Sequence, residues 1–262
     1  MATITGFQGG EVNDSGKVNW RGDQVSAPIG QSIYNSSQVQ LAELGSRLVV
    51  GDRVFRYAQI AGVASTPGDV LQCNLLPRIP ATGGGTSPAG GRQFVFFNTG
   101  SASTLDQYAE GTLHCVSGTA ANMGQMYRIK SHPAIADGTN GTLTLYDPLL
   151  TTENVTDLWA MYRNPYKLVS QVTAGLGAVP IAGVLVCAAT TNDYVWIQTW
   201  GPCAVKAQTS SQAGGLLYAA ATGAAVGHIL TGTGGTVYGT IGLAMTVPVA
   251  SDRALAYLQI AP

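Results

Sequence analysis

One stretch, residues 194–207, constrains the fold of this chain more than any other. Its alternating positions are Tyr194, Trp196, Gln198 and Trp200 on one face and Val195, Ile197 and Thr199 on the other. Because bulky residues occupy both faces, the pattern predicts a central strand of a sandwich or barrel rather than an edge strand. Proline has no backbone N–H, so Gly201-Pro202 is expected to break the hydrogen bonding of this strand, which resumes at Cys203.

Short apolar segments separated by turn signals predict further strands along the chain. These segments are residues 46–50, 53–57, 92–97, 127–130, 142–146, 213–218, 236–238, 241–247 and 253–260. In the last of them Leu255, Tyr257 and Gln259 alternate with Ala254, Ala256, Leu258 and Ile260. Residues 155–162 fit either one helical turn or a strand. The glycine-rich residues 81–91 lack a phosphate-loop pattern and predict a surface loop.

The region before residue 60 predicts one short helix followed by a hairpin. Ser36 or Ser37 can cap a helix that Gly45 would end. The apolar positions of this helix are Val39, Leu41, Leu44 and Leu48. Gly51-Asp52, between two apolar segments, predicts a two-residue hairpin turn.

Residues 1–31 are rich in Gly, Asn, Ser and Asp and predict an extended arm. Fixing each backbone residue costs about 1–2 kcal/mol. The few apolar side chains of the arm, which include Phe7, Trp20 and Ile29, contribute roughly 1.5–3 kcal/mol each when buried. We therefore expect the arm to be mobile in the free protein and to order by adding backbone hydrogen bonds against a partner chain.

These features together predict a mainly β protein with β-sandwich or barrel domains, an extended N-terminal arm and one short helix. Residues 1–60 hold the arm, the helix and the hairpin. Residues 61–165 form a β domain, and residues 166–262 form a C-terminal β domain.

The low charge of the chain bears on its partners. Only 10% of the residues are charged, against about 25% in ordinary globular proteins, so much of the surface is expected to contact protein. The net charge of −1 without a basic cluster argues against a nucleic-acid partner. The longest apolar run, residues 178–189, contains a proline and is too short to cross a membrane. With no targeting segment recognised, we expect synthesis and folding in the cytoplasm.

No catalytic, cofactor or metal motif occurs in the sequence. Two carboxylate pairs, Asp106 with Glu110 and Glu153 with Asp157, are interpreted as solvated turn or helix charges. His132 precedes a proline and is interpreted as a turn residue. We therefore expect no enzymatic activity and no bound cofactor or metal ion.

The four cysteines, Cys73, Cys115, Cys187 and Cys203, lie in apolar or small-residue surroundings and have no C-x-x-C spacing. Free buried thiols are the expected state in a reducing compartment. A disulfide between Cys187 and Cys203 on neighbouring strands is the alternative. The three histidines are scattered and do not complete a zinc site.

A pattern of strands also carries a family resemblance. The segment Y-x-W-x-Q-T-x-G-P at residues 194–202 follows Asn164-Pro165-Tyr166 and Gly183-Val184-Leu185-Val186. Together with residues 44–57, 141–148 and 254–261, this order resembles the head decoration (cement) and head-fibre proteins of tailed bacteriophages. The resemblance covers roughly residues 30 to 262 and is built from structural strands rather than from catalytic signatures.

The resemblance implies a structural virion protein that decorates and stabilises a capsid by clamping neighbouring major capsid subunits. It implies a location on the capsid surface after synthesis in the host cytoplasm, and self-association as a homotrimer. Phe7, Trp20 and Ile29 in the arm are the candidate contacts with the major capsid protein. Trp196 and Trp200 are the candidates for core or trimer packing. Neither nucleic acid nor a membrane is an expected partner.

Two other functions compete with capsid decoration. A head-fibre or tail-associated protein would bind a receptor or glycan through exposed loops such as residues 81–92, although this loop has no aromatic residue. A carbohydrate-active β-sandwich enzyme would need two carboxylates about 5–10 Å apart in a cleft.

Overall fold

The computed structural model describes residues 10–12, 18–20, 31–62, 65–74, 79–99, 101–153, 155–172, 179–207, 213–222, 225–231, 237–247 and 253–262. Within these ranges the chain forms antiparallel strands and no helix, which confirms the mainly β prediction. The strands are β1 (Gly10–Val12), β2 (Val18–Trp20), β3 (Arg47–Val50), β4 (Arg53–Gln59), β5 (Val70–Gln72), β6 (Ile79–Gly83), β7 (Gln93–Asn98), β8 (Thr112–Ser117), β9 (Met126–Ser131), β10 (Asn140–Leu145), β11 (Leu158–Tyr162), β12 (Ser170–Gln171), β13 (Ile181–Leu185), β14 (Tyr194–Lys206), β15 (Leu216–Thr222), β16 (Ala225–Thr231), β17 (Val237–Ala244) and β18 (Arg253–Gln259).

The chain divides into two compact units. The first unit contains residues 1–73 and 168–262, and the second contains residues 74–167. The sequence predicts residues 1–60 and 166–262 as separate regions, whereas β4 pairs with β14 in one sheet of the first unit. Phe55 and Tyr57 of β4 are completely buried in this sheet, so the predicted hairpin contributes to the same folded body as the C-terminal strands.

The second unit is a closed barrel whose strands follow the order β10-β7-β6-β11-β8-β9. Alternate residues of its strands point inwards, because successive side chains of a strand lie on opposite faces. The largest inward side chains are Phe94, Phe96, Leu113, Tyr127, Ile129, Leu143 and Trp159. Residues 158–162, which the sequence left between helix and strand, form β11 of this barrel.

The first unit is a curled antiparallel sheet in the order β12-β5-β13-β14-β18-β17-β15-β16, with β4 also paired to β14. The 13-residue strand β14 is central, as predicted from its bulky faces. Its first half pairs with β4 and β13, and its second half pairs with β18. Trp196 is completely buried, and its ring centroid lies 4.9 Å from that of Tyr57.

The predicted break at Gly201-Pro202 is wrong. Gly201 lies opposite Leu258 and Pro202 opposite Tyr257, so pairing with β18 continues through both residues. The strand instead shifts its register against β4 between Gln198 and Trp200. Gly201 has a φ of 85°, and a Cβ atom there would lie 2.4 Å from the Asp52 carbonyl oxygen. The glycine therefore permits a bend at which β14 continues rather than ends.

Gln198 and Thr199 of the Q-T-x-G-P segment hold the backbone at this bend by hydrogen bonds from their side chains. The Gln198 side-chain amide donates to the carbonyl oxygens of Trp200, at 3.0 Å, and Pro202, at 2.8 Å. The Thr199 hydroxyl donates to the Ala261 carbonyl oxygen at 2.7 Å. Both side chains satisfy backbone acceptors near the register shift, where the ladder is irregular. The segment thus fixes backbone geometry and contains no reactive group.

The predicted short helix is absent: residues 35–46 form turns, bends and one isolated bridge. Ser37 pairs with Tyr194, and its hydroxyl accepts the Val39 N–H at 3.1 Å within its own turn. Of the apolar positions assigned to the helix, Val39 and Leu41 are exposed, while Leu44 and Leu48 are buried. The backbone hydrogen bonds between Ser37 and Tyr194 of β14 outweigh the local preference for a helix.

Part of the predicted arm is also structured. β1 pairs antiparallel with β2, with Glu11 opposite Asn19. The remainder of residues 1–30 lies outside the described residues. The hairpin prediction at Gly51-Asp52 is confirmed, because Val50 lies opposite Arg53 across this turn.

The expected burial of the cysteines is confirmed, and all four are free thiols. Burial raises the pKa of Cys73 and Cys187 to about 11 and the pKa of Cys203 to about 12. These thiols are therefore protonated and poorly nucleophilic near neutral pH.

The interpretation of Glu153 and Asp157 as solvated charges is wrong, since their exposed fractions are 1% and 0%. Asn122 Nδ2 donates to Asp157 Oδ2 at 2.7 Å and to Glu153 Oε2 at 3.3 Å. The Thr119 N–H donates to Asp157 Oδ1 at 2.8 Å. Burial, and then the adjacent Asp157 carboxylate, raise the pKa of Glu153 to about 7. One amide thus holds two buried acids together in the second unit.

Candidate interaction surface

Apolar side chains form a continuous row across four strands on the solvent side of the first unit's sheet. The register places Pro202 of β14 opposite Tyr257 of β18, Tyr257 opposite Leu243 of β17, and Leu243 opposite Leu216 of β15. Neighbouring strands lie about 4.8 Å apart, so the row spans roughly 14 Å. The solvent side of an antiparallel sheet normally carries polar residues at such positions.

A second apolar row lies beside the first. Ala204 of β14 is opposite Leu255 of β18, and the Met245 N–H donates to the Leu255 carbonyl oxygen at 2.9 Å. Trp200 continues the surface, with its ring in an edge contact 6.0 Å from that of Tyr257. We name this surface the outer face, formed by Trp200, Pro202, Ala204, Leu216, Tyr218, Leu243, Met245, Leu255 and Tyr257.

The outer face is exposed although it is apolar. The exposed fractions are 49% for Leu216, 46% for Met245, 39% for Leu255 and 36% for Leu243. The opposite side of the same strands packs into the core through Cys203, Val205, Leu217, Ala219, Ile241, Ala244, Ala254, Ala256 and Leu258. The sheet therefore has two apolar sides, of which its own unit covers one.

Charged residues border the outer face and are held in place. Lys206 and Arg253 lie opposite each other at one end of β14 and β18. Lys206 Nζ forms an ion pair with Asp69 Oδ1 at 2.6 Å, and Arg253 Nε donates to the Pro67 carbonyl oxygen at 3.1 Å. An apolar centre with a polar rim is the usual anatomy of a protein–protein interface.

A cavity of about 180 Å³ opens at this rim. Its walls include Pro202, Ala204 and Leu255 from the outer face, together with Arg53 and Tyr34. Arg53 Nη1 donates to the Tyr34 hydroxyl at 3.3 Å. The cavity has the size of one side chain, so it can receive a residue that projects from a partner surface.

The predicted site residues occupy different places. Trp200 belongs to the outer face, whereas Trp196 lies in the core, where its ring contacts that of Tyr57 on the paired strand β4. Trp20 lies in β2, but its side chain is outside the described part of the chain. Phe7 and Ile29 lie outside the described residues altogether.

His132, interpreted from sequence as a turn residue, lies in the loop that follows β9 and has a structural role. Its side chain is 3% exposed, and its Nε2 accepts the Tyr108 N–H at 2.9 Å. Its Nδ1 lies 2.8 Å from the Pro133 carbonyl oxygen, which fixes the neutral tautomer with a proton on Nδ1. Burial lowers the pKa of His132, so the ring remains neutral at physiological pH.

Comparison with protein-family models, with curated proteins and with solved structures finds no match to this chain. The described residues hold no group of three or more His, Cys, Asp or Glu side chains arranged for a metal ion. In the described ranges there is also no helix with the length and hydrophobicity needed to cross a bilayer.

Proposed function

We propose that this protein is a structural virion protein that decorates and stabilises a bacteriophage capsid. The observation that carries the proposal is the outer face, a broad apolar sheet surface on a chain with 10% charged residues. The strand pattern that resembles head decoration proteins supports the same role. In this proposal the chain is not an enzyme and acts by binding protein.

The outer face serves self-association in this proposal. Burying an exposed leucine contributes about 1.5–3 kcal/mol, so several such residues from each copy can hold an oligomer together. Obligate interfaces of this kind typically bury about 2,000 Å² or more and are rich in apolar residues. We propose a homotrimer in which the outer faces of three copies pack against one another.

The N-terminal arm provides the contact with the major capsid protein. Phe7, Trp20 and Ile29 are its anchoring side chains in this proposal. Three arms on one trimer bind several capsid subunits at once, so a modest affinity for each arm gives strong attachment through avidity. The bound protein would lie on the capsid surface after synthesis in the host cytoplasm, with no role for nucleic acid or a membrane.

Deletion of residues 1–31 tests the role of the arm. We expect the truncated protein to lose binding to shells of the major capsid protein, because the anchoring side chains are gone. The β-sheet circular dichroism signal should persist, since the described sheets of both units lie after residue 31 except for the β1–β2 pair. Cosedimentation with purified shells measures the binding.

The triple substitution Phe7→Ser, Trp20→Ser and Ile29→Ser provides the matched control, because it keeps the arm at full length. The proposal predicts that this variant also fails to cosediment. Shell binding by the truncated protein at the wild-type level would contradict the proposal. Such a result would favour a head-fibre or tail-associated protein that binds a receptor or glycan.

A further inference from the structure

The second unit contains a buried arginine whose Nε has no hydrogen-bond partner among the described residues. Arg163 follows β11 and is 9% exposed. Its Nε is completely buried and has no hydrogen-bond partner among the described residues. Arginine does not lose its charge at physiological pH, so the positive charge remains in this position.

A second cation lies beside this guanidinium. Burial, and then the Arg163 charge, lower the pKa of Lys167. Lys167 Nζ donates to the Asp106 carbonyl oxygen at 2.6 Å, which uses one of its three donor positions. Asp106 and Glu110, interpreted from sequence as solvated charges, are half-buried and raise the pKa of Lys167. These acids therefore balance part of the lysine charge, whereas Arg163 Nε is buried without a hydrogen-bond partner among the described residues.

The loop beside the two cations has a constrained backbone. Asp106 has a φ of 53° and Glu110 a φ of 61°, both in the left-handed region that glycine favours. Asp106 Oδ1 accepts the His132 N–H at 2.8 Å, which attaches the loop to the residue that follows β9. Strained non-glycine residues persist where the surroundings hold them, and they are common at binding sites.

We propose that Arg163 and Lys167 form a binding site for a small oxyanion, a phosphate or a carboxylate. A buried charge without a partner is strongly unfavourable, and an oxyanion supplies the missing charge and the acceptors. The planar guanidinium suits two oxygens of one such group, and the ammonium adds a point charge. The Tyr108 hydroxyl, whose pKa is raised by burial and lowered by the Arg163 charge, lies near the same guanidinium.

Thermal unfolding of the full-length protein tests this site with inorganic phosphate and with acetate, each against chloride at equal ionic strength. A ligand that binds the folded state raises the unfolding temperature of the second unit. Hydrogen exchange of the amides of residues 74–167 follows the unfolding of that unit. Stabilisation by phosphate alone identifies a phosphate-type ligand, and stabilisation by acetate as well identifies a site that also takes carboxylates.

Arg163→Met should weaken binding of the stabilising anion by about ten- to hundredfold, because a hydrogen bond to a charged group is lost. Arg92→Met is the matched control, since Arg92 is an exposed arginine of the same unit, and it should bind as the wild type does. Lys167→Met provides a second test if Arg163→Met does not fold. The proposal would be overturned if neither phosphate nor acetate raised the unfolding temperature. It would also be overturned if the stabilising anion raised it equally in Arg163→Met and wild type.

Discussion

Gly201→Ala is expected to destabilise the first unit by about 3 kcal/mol or more. The left-handed backbone at Gly201 disfavours any side chain, and a Cβ atom would lie 2.4 Å from the backbone oxygen of Asp52. That oxygen belongs to the β3–β4 turn and cannot move without shifting the hairpin that pairs with β14. Hydrogen exchange of the β14 amides in urea measures the loss.

Gly51→Ala separates the backbone contribution from the steric one. Gly51 also has a positive φ, of 68°, but a Cβ atom there would meet nothing within 4 Å. We expect this variant to lose only about 1 kcal/mol, from the left-handed conformation alone. Equal losses for Gly201→Ala and Gly51→Ala would show that the close approach to Asp52 is not what makes residue 201 a glycine.

Raising the pH from 5 to 8 is expected to destabilise the second unit by about 3 kcal/mol through Glu153 alone. The pKa of Glu153 is about 7 in the folded chain, against an ordinary 4.5. The folded state therefore holds the proton more tightly than the unfolded state. Its contribution to stability is complete below pH 4.5 and is lost as the pH rises through about 7.

Glu153→Gln should remove this pH dependence, because the amide is neutral and can still accept the hydrogen bond from Asn122. We expect the variant to match the wild type near pH 5 and to exceed it by about 3 kcal/mol at pH 8. Asp137→Asn is the control, because Asp137 is an exposed carboxyl of the same unit. This substitution should leave the loss of stability between pH 5 and pH 8 unchanged. Hydrogen exchange of the amides of residues 74–167 in urea measures both variants. An equal pH dependence of stability in Glu153→Gln and wild type would refute the effect.

The central strand could be predicted from the sequence because its signal is local. The alternation of large residues through Trp196 requires burial on both sides, and the structure places β14 in the middle of the sheet. The turn at Gly51-Asp52 is equally local, since two adjacent residues set the hairpin geometry. Neither prediction depends on a distant part of the chain.

The outer face could not be predicted, because the two sides of β18 carry similar residues. Ala256 and Leu258 point into the core, whereas Leu255 and Tyr257 point outwards. Both sets are apolar, so the alternation of residues along β18 does not show which side faces the core and which faces solvent. The choice follows from the pairing of β18 with β14 and β17, which are distant in sequence.

The buried acids and the missing helix have the same cause, a contact that is distant in sequence. Charged residues are seldom buried, so the sequence alone predicts that Glu153 and Asp157 are exposed. Their burial depends on Asn122, which is distant in sequence and donates to both side chains. Ser37 has the composition of a helix cap, yet it pairs with Tyr194 of β14. In each case tertiary contacts outweigh local preference.

The most direct test of the account is the solution mass of the purified protein by light scattering, for the wild type, Leu243→Lys and Met126→Lys. Leu243 lies in the centre of the outer face, whereas Met126 is an exposed apolar residue of the second unit with an exposed fraction of 71%. We predict three times 27.0 kDa for the wild type and for Met126→Lys, and 27.0 kDa for Leu243→Lys. A monomeric wild type, or a folded Leu243→Lys that remains a trimer, would contradict self-association through the outer face.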